Sequence, residues 1–160
     1  MREILGEART VRELLKGVKY SIDYYQREYK WQEKQIRELL EDLSSKFLED
    51  YQPEHSREQV QKYAHYFLGS IIVSSKDKAN YIVDGQQRLT SLTLLLIYLR
   101  NLQRERAEQV NIDELIFSEK YGKKSFNLHV EERTPSMEAL FEQQPFDPTD
   151  KPESVQTIIA

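Results

Sequence analysis

The chain has 160 residues, of which 39% are hydrophobic and 31% charged, and this composition predicts one globular, helix-rich domain. The absence of cysteine excludes disulfides and cysteine-ligated zinc, and the net charge of −4 argues against a domain that neutralises DNA phosphates over a broad surface. The first ten residues carry charges and no apolar segment, and the longest apolar run, residues 92–99, is too short for a bilayer, so we expect a cytoplasmic protein without a membrane anchor.

A short helix, a strand and a long helix are predicted in the first 50 residues. Thr10 and Glu13 form a capping-box pattern ahead of a short apolar face. Over residues 20–24, apolar and polar side chains alternate, which indicates a half-buried strand. From Trp31 the apolar residues recur with helical spacing as far as Phe47, which predicts an amphipathic helix.

Two strands and an apolar helix are predicted next. The segment YFLGSIIVSS, residues 66–75, is nearly all apolar, which predicts a central strand covered on both faces. The segment YIVDG, residues 81–85, follows after a short turn, so the two strands should pair as a hairpin. From Gln86 to about Arg106, leucines cover most of the helix circumference, which predicts a helix packed on more than one side.

The pattern is less regular after residue 108. FNLHVEER, residues 126–133, is a candidate strand, and SMEALFEQ begins a short helix after Pro135. Residues 145–160 contain three prolines, and this composition predicts no compact element. We therefore expect the chain to be the N-terminal fragment of a longer protein. We therefore expect an α+β domain over residues 1–125 and the start of a following, truncated helical region over residues 126–160.

Polar residues stand where the second predicted strand of the hairpin meets the apolar helix. The first N–H groups of a helix lack partners and carry positive potential, so an anion is favoured there. Gly85 would allow close approach of an anion, Arg88 would bind phosphate oxygens, and Gln86 and Gln87 would add neutral donors. Asp84 would cap the helix, hold a metal ion or bind a ribose hydroxyl. The alternative is a simple turn with a surface arginine, but polar side chains at a buried junction are costly unless they bind one another or a ligand.

A similar arrangement follows the first predicted strand. Gln26 and Arg27 precede the long amphipathic helix, and Arg27 would be the second cation of a phosphate site. Tyr25 or Trp31 would then offer a base a stacking face. In the alternative, Tyr25, Tyr29 and Trp31 pack the helix onto the sheet, and the sequence leaves both open.

Three segments resemble the N-terminal domain of GmrSD-type restriction endonucleases in order and spacing: YQREYKWQEKQIRELLEDL, YFLGSIIV and YIVDGQQRLTSLTLLLIYL. The resemblance covers about residues 10–105. It implies a ParB/sulfiredoxin-like fold, a small mixed sheet packed with helices, that binds nucleotides at the D-G-Q-Q-R turn. Family members restrict phage or modified DNA. The resemblance further implies that this domain binds and hydrolyses an NTP (ATP, GTP or CTP), with Mg²⁺ as a candidate cofactor and a homo-oligomer as a candidate assembly. A separate C-terminal HNH-type nuclease domain or subunit would cut the DNA.

Residue by residue, the resemblance implies a nucleotide site made of the following residues: Tyr25, Gln26, Arg27, Asp84, Gly85, Gln86, Gln87 and Arg88. Asp84, Gln87, Arg88 and Arg27 would be the catalytic residues: the arginines bind phosphates or developing charge, a glutamine orients water, and Asp84 holds the metal. ParB-type CTPases carry a second arginine where Gln87 stands. Sulfiredoxins carry their reactive cysteine where Gln86 stands, so sulfiredoxin chemistry is excluded.

Two alternatives to hydrolysis remain open, a nucleotide-sensing switch that does not hydrolyse and a DNA-binding module. The sequence contains no Walker A pattern, which excludes a P-loop enzyme. Its three histidines, His55, His65 and His129, show neither an HNH-like pattern nor a second ligand at metal spacing, so surface or core positions are expected for them.

Overall fold

The structure is a computed structural model that describes residues 4–23 and 28–160. Tyr24, the last residue of the first predicted strand, lies outside the described residues. The chain divides into two compact units, one of residues 1–29 and 71–160 and the other of residues 30–70. The secondary structure is mixed α+β, as predicted.

All described strands belong to the first unit: β1 (Tyr20–Ile22), β2 (Ile72–Lys76), β3 (Ala79–Asp84), β4 (Phe117–Lys120), β5 (Lys123–Phe126) and β6 (Leu128–His129). Four of them form a sheet in the order β2-β3-β1-β6, and β4 and β5 form a separate antiparallel pair. Because β1 pairs in parallel with both β3 and β6, the carboxyl ends of these three strands lie at the same edge of the sheet.

The described helices are α1 (Val11–Leu15), α2 (Glu33–Asp50), α3 (Gln86–Leu102), α4 (Asp113–Ile116), α5 (Thr134–Glu142) and α6 (Glu153–Ile159). Short 3-10 helices cover Arg57–Lys62 and Glu131–Arg133. The capping box of α1 is confirmed, since Thr10 Oγ1 accepts from the Glu13 amide at 3.2 Å and Glu13 Oε2 accepts from the Thr10 amide at 2.7 Å. No described helix is long and apolar enough to cross a membrane.

The core of the first unit lies between the sheet and its helices. Eight buried residues form it: Leu15, Tyr20, Ile22, Ile82, Leu89, Leu115, Leu128 and Val130. They come from α1, β1, β3, α3, α4 and the β6 region, so elements more than 100 residues apart in sequence share one apolar cluster. Burial of these side chains, at about 1.5–3 kcal/mol each, is the main force that holds the sheet together.

The hairpin of β2 and β3 is confirmed, but the predicted central position of its first strand is wrong. The chain turns at Asp77 and Lys78, which both have positive φ (52° and 64°), as a two-residue hairpin turn requires. In the described sheet β2 has β3 as its neighbour and lies at the edge, with all five residues exposed. The apolar composition of residues 66–75 led to this wrong prediction, because residues 66–70 are not strand and belong to the second unit.

The apolar helix α3 begins at Gln86 as predicted and ends at Leu102, earlier than Arg106. It packs against α4, α5 and β6, and its buried residues lie between Leu89 and Ile97. Leu102 is exposed, so packing on several sides is confirmed for the first part of the helix only.

The C-terminal segment folds more fully than its prolines predict. The candidate strand at residues 126–133 is confirmed in part as β6, and the helix after Pro135 is confirmed as α5. The expectation of no compact element in residues 145–160 is wrong, because α6 buries Val155 and Ile158. Pro152 occupies the N-cap of α6, where its missing N–H costs nothing. The predicted domain boundary between residues 125 and 126 stays a prediction.

The second unit consists of α2 and the segment that follows it. The rings of Phe47 and Tyr51 stack with centroids 5.2 Å apart, and Tyr63 packs on Phe47 at 5.5 Å. His55 Nδ1 lies 2.8 Å from the Tyr63 hydroxyl, so this histidine forms a hydrogen bond with the aromatic cluster. The predicted amphipathic helix is confirmed, although it begins at Glu33 rather than at Trp31.

A single buried asparagine joins three segments of the first unit. Asn127 is 1% exposed, and its Nδ2 donates to the carbonyl oxygens of Leu15 and Glu114, each at 2.9 Å. Its Oδ1 accepts from the Ser118 hydroxyl, and its backbone carbonyl accepts from the Tyr20 amide at 2.6 Å. The side chain therefore fixes α1 and α4 relative to the start of β6.

Substitution of Asn127 should be among the more damaging polar changes in the chain. We expect Asn127→Ala to lower the free energy of unfolding by about 2–4 kcal/mol, because one buried and one part-buried carbonyl lose their donor. Urea denaturation followed by circular dichroism measures this. Asn111→Ala is the control, since Asn111 is exposed and only accepts from the Asp113 amide, and it should cost about 1 kcal/mol or less. Equal losses in the two variants would contradict the assigned role.

Candidate functional site

The turn between β3 and α3 holds the predicted anion site. Asp84 is the last residue of β3 and is exposed, and Gly85 occupies the N-cap of α3 with φ 94° and ψ 9°. This left-handed conformation suits glycine, and a side chain here would strain the turn. Since the cap is Gly85, the interpretation of Asp84 as the helix cap is wrong. Asp84 thus has its carboxylate at the surface beside a helix start that no cap side chain covers.

Among the three polar residues that open α3, Gln87 makes a hydrogen bond to the segment that follows β1. Gln86, Gln87 and Arg88 are half-buried. The Nε2 of Gln87 donates to the backbone oxygen of Glu28 at 2.6 Å. One turn further on, the Ser91 hydroxyl donates to the Gln87 backbone oxygen at 2.9 Å. The polar cluster at this buried junction is therefore partly a structural hydrogen-bond network.

The bond between Gln87 and Glu28 joins the second predicted motif to the residue that directly follows the first. Glu28 directly follows Arg27 in the sequence, and its own carbonyl contacts the first turn of α3. Upstream, β1 and β3 are parallel neighbours with Ile22 opposite Ile82, so both motifs follow strands that end at one edge. In open α/β sheets, ligands bind outside the carboxyl ends of such strands.

Three predicted site residues, Tyr25, Gln26 and Arg27, lie outside the described residues. Their proposed roles stay predictions. Tyr29, two positions further on, is described and is 5% exposed. Its hydroxyl lies 2.9 Å from Ser91 Oγ and donates to it, because the single Ser91 proton is already given to Gln87. Tyr29 is therefore packed against α3, and the predicted packing of the amphipathic helix onto the sheet stays a prediction. Burial raises the pKa of its hydroxyl above the ordinary value.

Arg133 is a buried cation next to this network that the sequence analysis did not single out. It is 4% exposed, its Nη1 lies 3.3 Å from Thr90 Oγ1, and its guanidinium carbon lies 5.9 Å from the centre of the Tyr29 ring. The sequence pattern that could have identified Arg133 is its position at the end of a candidate strand segment, since Arg27 and Arg88 also follow predicted strands.

A small cavity of about 10 Å³ lies beside Arg133. Its walls are formed by Thr90, Phe126, Leu128, Val130, Arg133, Thr134 and Met137. This volume admits about one water molecule and no nucleotide.

Metal binding at the site would depend on Asp84. Among the residues the structure describes, no three His, Asp or Glu side chains are grouped so that they could hold a metal ion. A lone surface carboxylate fits Mg²⁺, which keeps several waters and is commonly held by one or two carboxylates together with substrate phosphates.

An α+β domain with a glycine-capped helix after a parallel strand is the class that this fold and turn define. The family model of the GmrSD restriction endonuclease N-terminal domain matches residues 11–158. The chain therefore belongs to this family, and the resemblance found in the sequence is confirmed. No curated protein matches the chain.

The bond between Gln87 and Glu28 makes a testable contribution to stability. We expect Gln87→Leu to lower the free energy of unfolding by about 1–2 kcal/mol, because it leaves the Glu28 carbonyl without this donor. Hydrogen exchange should also become faster in residues 28–30. Gln86→Leu is the matched control on the same helical turn and should leave that exchange unchanged. Equal acceleration in both variants would show that the Gln87 contact does not hold the segment.

The buried hydroxyl of Tyr29 predicts a loss of stability at alkaline pH. Because its pKa is raised in the folded state, its contribution is complete below the unfolded pKa of about 10 and is lost as the pH rises through the folded value. Denaturation between pH 8 and 11 should show a shallower alkaline decline for Tyr29→Phe than for the wild type. Part of the decline should remain, since burial also raises the pKa of Tyr20. The exposed Tyr98 is the control, and an unchanged slope for Tyr29→Phe would contradict the prediction.

Proposed function

We propose that this domain binds a nucleoside triphosphate at the β3–α3 turn and thereby regulates DNA cleavage by a separate HNH-type nuclease domain or subunit in phage defence. One observation carries the proposal: the contact between Gln87 and Glu28 joins two arginine-bearing segments that follow adjacent parallel strands. Membership of the restriction endonuclease family supports the link to DNA cleavage. The net charge of −4 opposes a DNA-binding role for this domain.

The start of α3 has the features that phosphate binding needs. The helix is 17 residues long, and its first amides carry the positive end of its dipole. Gly85 has no side chain to exclude a phosphate, and the half-buried Arg88 offers a planar set of donors beside it. Asp84 would repel a bare phosphate, but with Mg²⁺ between them the carboxylate would support triphosphate binding.

Hydrolysis at this turn would be catalysed by positioning and charge neutralisation. Arg88 and the α3 amides would hold phosphate oxygens, and Arg27 would meet the developing charge. Of the two glutamines, Gln86 is the better candidate to orient the attacking water, because Gln87 Nε2 already donates to Glu28. Asp84 would bind Mg²⁺ directly or through water.

Calorimetric titration with ATP, GTP and CTP in the presence of Mg²⁺ tests the proposal. We expect one of the three to bind, and Arg88→Ala to weaken it at least tenfold through loss of charge-assisted hydrogen bonds. Arg37→Ala is the control, since Arg37 lies on α2 and pairs with Glu33 at the surface. Equal weakening by both variants, or no binding by the folded wild type, would reject the turn as a nucleotide site.

The same mixtures, sampled for released phosphate, separate hydrolysis from sensing. Phosphate release that falls in Asp84→Asn and in Gln86→Ala, with folding unchanged, would support hydrolysis at the turn. Tight binding without phosphate release would favour the nucleotide-sensing switch, in which occupancy alone regulates the nuclease.

A further inference from the structure

Lysines from two segments lie at the edge of the four-stranded sheet where β1 and β3 begin. Lys19 directly precedes β1, and Lys78 is the second residue of the turn that leads into β3. Lys76, the last residue of β2, pairs with Ala79, the first residue of β3. Because β1 and β3 are parallel, their starts share one edge of the sheet, whereas Asp84 and the β3–α3 turn lie at the other. These lysines are therefore separate from the proposed nucleotide site.

The hairpin of β4 and β5 brings two further lysines to the same edge. Lys123 and Lys124 begin β5 and are exposed. One residue later, the Ser125 hydroxyl accepts a hydrogen bond from Lys19 Nζ, which places β5 beside the start of β1. The fold thus gathers five exposed lysines from three segments, and we call them the edge lysines: Lys19, Lys76, Lys78, Lys123 and Lys124.

The turn between β4 and β5 carries an aromatic side chain at its tip. The root of the hairpin is fixed in the core, since Phe126 is 2% exposed and its ring centre lies 4.2 Å from that of Phe117. At the tip, Tyr121 is 93% exposed and has a positive φ of 53°, followed by Gly122 at 75°. A bulky residue in this conformation costs free energy, and turns of this kind favour Asn, Asp or Gly at its position. Burial does not offset that cost for Tyr121, which indicates a role other than stability of the fold.

The edge carries an excess of positive charge in a chain whose net charge is −4. Two acidic residues lie among the edge lysines: Asp77 is the first residue of the β2–β3 turn, and Glu119 stands opposite Lys124 in the β4–β5 pair. Glu114, in the helix before β4, is already paired with Arg12 at 2.8 Å. Five lysines against two carboxylates leave a charge of +3 on these residues, so the edge attracts polyanions.

We propose that the edge lysines bind the phosphate backbone of duplex DNA and that Tyr121 enters a groove beside them. Lysine and tyrosine side chains commonly donate to phosphates, and the major groove, about 12 Å wide, admits a two-stranded β-ribbon such as β4–β5. Membership of a restriction endonuclease family favours DNA over an acidic protein as the polyanion. The inference adds a second site to the domain and does not depend on nucleotide binding. Because the rest of the chain is acidic, the contact is confined to this edge and should be weak and sensitive to salt.

The salt dependence of DNA binding tests the edge lysines. Fluorescence anisotropy measures the association constant of the full chain for a labelled duplex of about 20 base pairs, from about 50 to 200 mM NaCl. Two lysines are removed at a time, in Lys123→Gln/Lys124→Gln and in Lys76→Gln/Lys78→Gln. In each pair, the slope of log K against log [salt] should fall in magnitude by about 1.8, and binding at the lowest salt should weaken by about tenfold or more.

A matched control removes the same charge elsewhere. Lys34→Gln/Lys62→Gln changes two exposed lysines of the second unit and should leave the slope unchanged. Circular dichroism checks the fold of each variant, and if a double variant does not fold, its single variants carry the test, each with an expected decrease of about 0.9. A wild-type chain that does not bind DNA at the lowest salt, or a hairpin pair whose slope equals that of the control, would overturn the inference.

Substitution of Tyr121 separates DNA binding from the stability of the turn. Tyr121→Asn introduces a residue that tolerates positive φ, so the urea midpoint should stay the same or rise. The affinity for DNA should nevertheless fall roughly threefold, through loss of a hydrogen bond to the backbone. A lower urea midpoint with unchanged affinity would show that the ring serves the fold and overturn its role in the DNA contact.

Two further measurements distinguish this inference from the proposed function and from another partner. Arg88→Ala should leave the affinity for DNA at the wild-type level, because Arg88 lies at the opposite edge of the sheet, and this holds whether or not the turn binds nucleotide. A loss of DNA binding in Arg88→Ala as large as in the lysine pairs would contradict the separation of the two sites. Tighter binding of polyglutamate than of DNA would identify an acidic protein as the partner and overturn the inference.

Discussion

The parallel pairing of β1 between β3 and β6 is the constraint on which the rest of this unit depends. β1 has only three residues, so few backbone hydrogen bonds set its register. The register is fixed instead by burial of Tyr20 and Ile22 and by the Asn127 carbonyl that accepts from the Tyr20 amide. A slip of one residue would turn both side chains to the opposite face and displace the segment after β1 from the start of α3.

The polar cluster at the buried β3–α3 junction divides into two parts. Gln87, Ser91 and Tyr29 form a chain of hydrogen bonds that the protein satisfies internally, and this chain holds the segment after β1 in place. Gly85, Gln86 and Arg88 belong to the same turn and are half-buried. Structural bonding and ligand binding are thus complementary here, since the inner network positions the groups that would face a nucleotide.

Local sequence patterns predicted the individual helices and strands of this fold better than they predicted which elements pack against one another. The capping box at Thr10, the hairpin and the start of α3 follow from residues within one or two turns of each other, and all are confirmed. The edge position of β2 depends on which strand pairs with β3, and apolar composition does not encode that choice. The sequence analysis also did not identify Arg133, because its contact with Thr90 joins residues 43 positions apart. The sequence could thus indicate the turn, but not the residues that the fold gathers around it.

A site assembled from strand ends that are distant in sequence suggests how a domain of this kind could regulate a nuclease. The strands β1, β3 and β6 are far apart in sequence, so the positions of their ends relative to one another depend on the folded sheet. On the proposed function, a bound triphosphate would contact more than one of them and favour the conformations in which they are correctly placed. A ligand stabilises such a state by RT ln(1 + [L]/Kd), about 2.7 kcal/mol at a hundredfold excess over Kd. If only one of two conformations binds the nucleotide, that free energy shifts the equilibrium between them by about a hundredfold, and on the proposed function this shift would act on an attached or associated nuclease.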